Sequence, residues 1–146
     1  QRQRALEILR TSDIIATRTY GLNQTVAAQF CEAHSADIWR AFIETVETVS
    51  PVWLRRYLPW FDLSYECRFY PVFIMPWEIF DEFCSLLFPV LFALHKRVGA
   101  VPDEAGRRFQ LGRYPAFLSE RFMMLYFHAR GLRVHGAQLV RLERDT

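Results

Sequence analysis

The spacing of apolar residues predicts mostly helices, with one short strand, over the first 60 residues. Ala5, Leu6 and Leu9 fall on one helical face, and the apolar run DIIATR fits a buried strand. Ser35 offers an N-cap to the helix that follows, because its hydroxyl can accept an exposed backbone N–H. In chain order the pattern predicts a helix over 1–10, a strand over 13–18, a turn at 20–21, and helices over 22–34, 36–49 and 51–58.

The second half of the chain begins with a more continuous apolar pattern. CRFYPVFIM, residues 67–75, predicts a buried strand in which Pro71 must lie at the start, on an edge or at a bulge. From about Trp77 to Val98 the apolar residues keep the i, i+3, i+4, i+7 spacing of a long amphipathic helix. Further along, the pattern predicts a loop over 101–108, a helix over 115–130 that Gly131 ends, and one or two short strands over 133–143.

These elements define the expected fold class and domain organisation. Three or four short strands among five or six helices predict a helix-rich α/β fold with too few strands for a complete doubly wound sheet. A chain of 146 residues can bury one real core but not comfortably two. We therefore expect residues 1–146 to form a single domain or half of one.

Composition and charge exclude several classes of protein. Hydrophobic residues make up 51% of the chain, which argues against disorder, and the net charge of +2 is too mild to indicate nucleic acid. The apolar runs 69–77 and 86–94 are each about half of the roughly 20 residues that a spanning helix needs. No secretory signal is visible, and three cysteines without ligand-like spacing argue against a disulfide framework or a zinc site. These features fit a cytoplasmic protein without a transmembrane segment.

Arginine is unusually frequent, since Lys96 is the only lysine against 17 arginines. An arginine-rich genome accounts for such a bias, whereas a functional interpretation assigns several guanidinium groups to phosphate or carboxylate binding. The common catalytic motifs are absent: the sequence contains no Gly-rich phosphate loop, HExxH, GxSxG or CxxC. It also lacks an Asp-x-Asp that would hold a divalent metal against a diphosphate.

The best candidate for chemistry is the pair Glu120–Arg121, which interrupts the apolar and aromatic block RYPAFLSERF. Charged residues rarely occupy core positions unless they are paired. Glu120 falls near the start of the last predicted helix, where the helix dipole favours a carboxylate, and Arg113 precedes that helix. A structural cap with a salt bridge and a functional site both explain the pair, and the spacing does not decide between them.

Four segments resemble one family in the same order and spacing. VFIMPWEIFDEFCSLLFPVLFALHKRV (72–98) and RYPAFLSERFMMLYFHARG (113–131) are similar to "ELFDEYCxWLFxILFELEKRI" and "R-x-x-GFLxERL". ILRTSDIIATR resembles the strand "LLxxYDIILPKR", and VAAQFCEAH resembles the helix "YxxxH". These motifs belong to a bacterial family of capsular-polysaccharide-synthesis glycosyltransferases that was long catalogued as a domain of unknown function. The resemblance covers roughly residues 6 to 143.

The resemblance implies a GT-A-type fold, of which this chain is the C-terminal, acceptor-side half. Matching of motif positions to the family implies that Glu120 and Arg121 are the catalytic residues. Glu120 would be the base that deprotonates the acceptor hydroxyl, and Arg121 would hold Glu120 in place. Arg113, Arg18 and His34 match the family's substrate-binding positions, with Arg113 or Arg18 facing a donor diphosphate.

The resemblance also implies partners, a cofactor and a location. The partners are a nucleotide-diphosphate sugar and a glycan acceptor of a capsular or other surface polysaccharide. This chain itself is expected to carry no cofactor, and Mn²⁺ or Mg²⁺ would accompany the nucleotide sugar in the full-length enzyme. The enzyme would work in the cytoplasm, with peripheral contact to the inner membrane left open.

The sequence departs from the family pattern in its residues and in its extent. Pro71 and Val72 replace the usual Asn-Met, and Pro76 and Trp77 replace residues that are typically charged. The donor-binding half with its "HYRR" stretch is not in this sequence, so we expect the isolated chain to be inactive.

The alternative function is a non-catalytic helical module that docks a partner protein or a membrane surface. Its patch would combine basic and aromatic side chains from one short segment: Trp53, Arg55, Arg56, Tyr57 and Trp60. Core packing by the same aromatic residues is the competing explanation. Binding of single-stranded nucleic acid is disfavoured because the basic residues are interleaved with 16 acidic ones.

Overall fold

A computed structural model describes residues 2–102 and 111–138 and confirms the helix-rich α/β fold. The helices are α1 (Arg2–Ile8), α2 (Val26–Ala33), α3 (Ala36–Val49), α4 (Val52–Arg55), α5 (Leu58–Asp62), α6 (Trp77–Val98) and α7 (Tyr114–Ala129), with a 3-10 helix at Leu111–Arg113. The strands are β1 (Ile14–Thr17), β2 (Tyr20–Gly21), β3 (Glu66–Cys67), β4 (Phe73–Ile74) and β5 (Val134–Ala137).

The main sheet has three strands, with the fully buried β1 in the centre. β5 pairs with β1 in parallel and β4 pairs with it antiparallel, so that Ile15 lies between His135 and Ile74. β2 and β3 form a separate two-stranded antiparallel sheet. The carboxyl ends of β1 and β5 therefore meet at one edge, where α/β folds commonly place ligands.

Most predicted helices are confirmed, and three local predictions are wrong. The helix predicted over 51–58 is two short helices, because Pro59 lacks the N–H that would continue the first one. The predicted turn at 20–21 is instead β2, since Tyr20 and Gly21 pair with β3, a long-range partner that local pattern does not reveal.

The strand predicted over 67–75 is also wrong, and the error lies at Pro71. The segment is divided between β3 and β4, which belong to different sheets. Tyr70 has a φ of 68°, a left-handed conformation that is uncommon for a bulky residue, and Val72 N donates to Tyr70 O at 2.8 Å. Because proline cannot join a ladder, the chain turns here instead of pairing.

α7 is the central helix of the fold. Its residues 121–127 are all buried, and seven consecutive helical positions cover the whole circumference of a helix. α4 and α6 pack against it, and side chains of α2 contact it as well. Leu118, Phe122, Leu125 and Tyr126, which repeat at helical spacing, are buried as an apolar stripe. Because α7 is also buried on its other sides, Arg121 and Met123 belong to the core as well.

α7 ends in a tight left-handed cap that redirects the chain into β5. Leu132 N donates to Phe127 O at 3.0 Å and Gly131 N donates to His128 O at 2.9 Å, the two bonds of a Schellman motif. Gly131 has a φ of 62°, as this cap requires. The predicted stop at Gly131 is confirmed.

The structure also describes the cysteines and the length of the helices. Cys31, Cys67 and Cys84 are free thiols. Among residues 2–102 and 111–138, no helix combines the length and apolarity needed to cross a bilayer. Most of the loop predicted over 101–108 and the end of the segment predicted over 133–143 lie outside the described residues.

Replacement of Gly131 by Ala tests the cap. A Cβ at Gly131 meets no atom within 4 Å, so the expected loss of about 1–2 kcal/mol in the free energy of unfolding comes from backbone conformation alone. Gly21→Ala is the matched control, because Gly21 is equally uncrowded but has no positive φ. Urea denaturation should find the control neutral or slightly stabilising. Equal effects of the two substitutions would contradict the cap.

Candidate functional site

Glu120 lies at the carboxyl edge of the main sheet, next to the turn that separates β3 from β4. Its Oε1 accepts a hydrogen bond of 3.3 Å from the backbone N–H of Tyr70. Among the described residues no hydrogen bond reaches Oε2. Within the described part of the chain, the carboxylate is thus anchored by one oxygen.

The turn around Tyr70 is fixed to the end of β1 by side-chain contacts. The Thr17 hydroxyl donates to Phe69 O at 2.8 Å, and the Arg68 guanidinium donates to Thr17 O. Thr17 is 3% exposed, so these bonds are made in a largely water-free setting where they hold the turn firmly. The position of Glu120 relative to the sheet therefore depends on the last residue of β1.

Arg121 points away from Glu120 into the core and is 1% exposed. It donates to Phe117 O at 2.8 Å and to Oε1 of Gln29, and its guanidinium carbon lies 5.2 Å from the centre of the Phe30 ring. Its Nε has no hydrogen-bond partner among the described residues. Among the same residues, no ion pair joins Arg121 to Glu120. A helix cap with a direct salt bridge therefore does not explain why these two charged residues are adjacent.

The pKa of Glu120 is raised above the 4.5 of an exposed glutamate, because burial disfavours its charged form. The positive charge of Arg121 acts most strongly in the opposite direction, followed by the Tyr70 N–H and the charge of Arg113. Burial also raises the pKa of the neighbouring Cys67 thiol to about 11, which leaves that thiol neutral. Glu120 is thus a carboxyl group whose proton affinity is tuned by its surroundings, as is typical of acid–base sites.

The two predicted substrate-binding arginines are exposed, and the charge of Arg113 acts on the Glu120 carboxyl group. Arg113 ends the 3-10 helix, and its guanidinium lies 6.0 Å from the Phe117 ring centre. Arg18 follows β1, and its guanidinium lies 5.3 Å from the Tyr20 ring centre. Both residues are exposed, and their contact with a substrate stays a prediction.

His34 lies elsewhere, in the core at the end of α2. It is 5% exposed, and its ring centre lies 4.8 Å from that of Phe30 and 4.5 Å from that of Phe117. Phe30 also carries Arg121 on its face. The structure therefore places His34 in the buried aromatic cluster that also contacts Arg121, and its predicted substrate contact remains untested.

Sequence reasoning missed the residues that position Glu120, namely Thr17, Arg68 and Tyr70. The available signal was Pro71 inside an otherwise strand-like run, which indicated a break but not its partner. Among the described residues no three His, Cys, Asp or Glu side chains form a group that could hold a metal ion. The expectation of Mn²⁺ or Mg²⁺ in a longer enzyme stays a prediction.

The basic-aromatic patch of the alternative function makes mainly internal contacts. Arg130 lies over the Trp53 ring at 5.5 Å, and Arg55 donates to Glu47 O at 2.8 Å. Trp60 stacks on His128 with a centroid distance of 3.5 Å, and Tyr57 meets the same ring edge-on at 5.2 Å. The aromatic residues therefore serve packing against α7, and docking by this patch stays a prediction.

Comparison with known proteins adds a family and a fold. Residues 1–131 match the family described as "Domain of unknown function (DUF4422)", a range that contains all four motifs noted in the sequence. No curated protein matches the chain. Among solved structures the fold is similar to the apo structure of WbbM, a bifunctional glycosyltransferase, with a TM-score of 0.73 and 17% identity over 90% of this chain. The chain spans 24% of the WbbM chain, and at this identity the likeness shows a shared fold.

Glu120→Gln tests the raised pKa through stability. Since the folded state binds the Glu120 proton more tightly than the unfolded state, this group stabilises the fold fully below pH 4.5. That contribution is lost as the pH rises through the folded pKa. The free energy of unfolding of the wild type minus that of Glu120→Gln should therefore fall between pH 4 and neutrality, as measured by urea denaturation.

Glu78→Gln removes an exposed carboxylate from the first turn of α6 and controls for the loss of one negative charge. A wild-type advantage at Glu120 that instead grows as the pH rises would show that the folded pKa is lowered. That result would contradict the burial of the carboxyl group.

Proposed function

The chain belongs to the family described as a domain of unknown function (DUF4422), and we propose that it forms the acceptor side of a glycosyltransferase with Glu120 as its catalytic base. The observation that carries this proposal is the half-buried Glu120 carboxyl group, with its raised pKa and one oxygen unengaged among the described residues. A raised pKa increases the affinity of a carboxylate for the proton that a general base must take. The similarity of the fold to WbbM supports the reaction class.

The proposed step is a displacement at the anomeric carbon of a nucleotide-diphosphate sugar. Oε2 of Glu120 takes the proton of an acceptor hydroxyl group. At the same time the oxygen of that hydroxyl group forms the new glycosidic bond to the anomeric carbon. The bond from the anomeric carbon to the diphosphate breaks, and its electron pair leaves with the nucleoside diphosphate. The proton remains on Glu120, so charge and atoms balance.

Cationic side chains have separate roles in this proposal. Arg113 and Arg18 are the exposed candidates for the diphosphate, since guanidinium groups bind phosphate oxygens through paired hydrogen bonds. Arg121 is too deeply buried to touch a substrate and acts through its charge on the proton affinity of Glu120. It is a positioning residue, because it also fixes α7 to Gln29 of α2.

The finer elements of the proposal come from the sequence resemblance. They are an accompanying donor-binding half upstream, a growing capsular or other surface polysaccharide as acceptor, and action in the cytoplasm near the inner membrane. Mn²⁺ or Mg²⁺ would be held with the nucleotide sugar by that donor half.

Transfer by Glu120→Gln tests the base. The amide keeps the shape of the side chain and cannot take a proton, so we expect transfer to fall by about 100-fold or more. The assay measures nucleoside diphosphate release from a panel of nucleotide-diphosphate hexoses, with and without Mn²⁺, by this chain and by a version extended at its N-terminus. Glu78→Gln, at an exposed position on α6, is the matched control. Near-normal transfer by Glu120→Gln would sink the assignment.

A further inference from the structure

α7 continues past Glu120 into a cleft that the proposed chemistry does not use. Met124 and His128 follow Glu120 at i+4 and i+8, so they lie on nearly the same face of the helix. Both line a cleft of about 250 Å³. The remaining walls come from the segment after β1, from α5, from β3 and its flank, and from the end of α7 with the start of β5: Thr19, Trp60, Glu66, Arg68, Phe127, Leu132 and Val134.

One wall of the cleft is a rigid aromatic surface. The Trp60 and His128 rings are stacked at 3.5 Å with an interplanar angle of 7°, and Trp60 is still 37% exposed. Tyr57 supports the His128 ring from the side. Stacking covers the facing sides of the two rings, so their outer faces and their edges remain for contact with a ligand.

Hydrogen-bonding groups also line the cleft. Glu66 and Arg68 alternate along the chain at β3, and both reach the same space, as side chains two residues apart do on a strand. Arg68 is held in place by its bond to Thr17 O, the carbonyl at the end of β1. Glu66 is exposed and acts on Arg68 through its charge, and Thr19 adds a hydroxyl group.

We infer that this cleft is the acceptor subsite, which binds a neutral sugar ring of the glycan. The apolar face of the sugar would lie against an outer face of the Trp60–His128 stack, and its hydroxyl groups would bind Glu66, Arg68 and Thr19. The volume is below the roughly 300–1,000 Å³ of pockets for drug-sized ligands, which suits one sugar ring better than a nucleotide sugar. This inference rests on the proposed function.

The helix sets the direction of the acceptor chain. A rise of 1.5 Å per residue puts Met124 about 6 Å and His128 about 12 Å along the axis from Glu120. A glycan held in the cleft would therefore run beside α7, with its terminal sugar at Glu120 and a preceding sugar on the aromatic wall. The hydrogen bonds between Thr17, at the end of β1, and residues Arg68 and Phe69 hold both the cleft wall and the turn at Tyr70. The cleft and the Glu120 site therefore keep a constant distance from each other.

Binding of methyl glycosides tests the cleft without requiring transfer. The probes are methyl glucoside, methyl galactoside and methyl mannoside, titrated into the ¹⁵N-labelled chain and observed by NMR at the Trp60 indole N–H and the His128 ring. We expect at least one glycoside to shift both signals saturably. Glu66→Gln should weaken that binding by about tenfold, because a neutral amide oxygen accepts a weaker hydrogen bond than a carboxylate does.

Matched variants separate the cleft from the rest of the surface. Trp60→Ala should abolish binding, whereas Trp77→Ala, which removes a 70% exposed tryptophan from α6, should leave it unchanged. Glu78→Gln is the corresponding control for Glu66→Gln.

The outcomes distinguish the two proposals. Glycosides that shift the Tyr70 amide but neither Trp60 nor His128 would overturn the cleft and leave the base assignment standing. Saturable binding at Trp60 together with normal transfer by Glu120→Gln would support the cleft and overturn the base. The absence of any shift with all three glycosides would overturn the cleft inference.

Discussion

The burial of one guanidinium group, that of Arg121, is the constraint around which this fold is arranged. Removing such a charge from water costs several kcal/mol unless hydrogen bonds and nearby charges compensate for it. The compensation comes from three directions: the Phe117 carbonyl on the same helix, the Gln29 amide on α2, and the face of Phe30. α7 and α2 must therefore lie in fixed register, and the surrounding aromatic residues pack on that pair.

The same constraint shapes the chemistry of the neighbouring residue. Because Arg121 turns inward, Glu120 turns toward the rim of the core, where its carboxyl group meets the Tyr70 turn. Burial and the Arg121 charge then act on the Glu120 proton in opposite directions, and burial dominates. The left-handed Tyr70 belongs to this arrangement, since it presents an N–H to the carboxylate at a place where Pro71 prevents strand pairing. Strain of this kind persists only where surrounding contacts enforce it, and Thr17 supplies them here.

The sequence pattern correctly predicted the elements that depend on interactions between residues close together in the chain. The Ser35 cap, the long apolar period of α6 and the stop at Gly131 were all readable, because each depends on residues a few positions apart. Glu120 and Arg121 also stood out, as charges inside an apolar block. What could not be read was decided by long-range contacts: the pairing of Tyr20 with Cys67, the Gln29 partner of Arg121, and the proximity of Tyr70 to Glu120. Likewise, a helix buried on all sides has no polar face. Apolar periodicity therefore identifies only some of the α7 residues that are buried in the core.

The most direct test of the tuned carboxyl group is an NMR titration of the Glu120 side-chain carbon in the folded chain. We predict a pKa above 4.5 in the wild type, and a further rise in Arg121→Met, since that change removes the strongest influence that lowers the pKa. Arg113→Met, which removes the weaker charge, should produce a smaller rise. A wild-type pKa at or below 4.5 would contradict the assignment of Glu120 as a partly buried base.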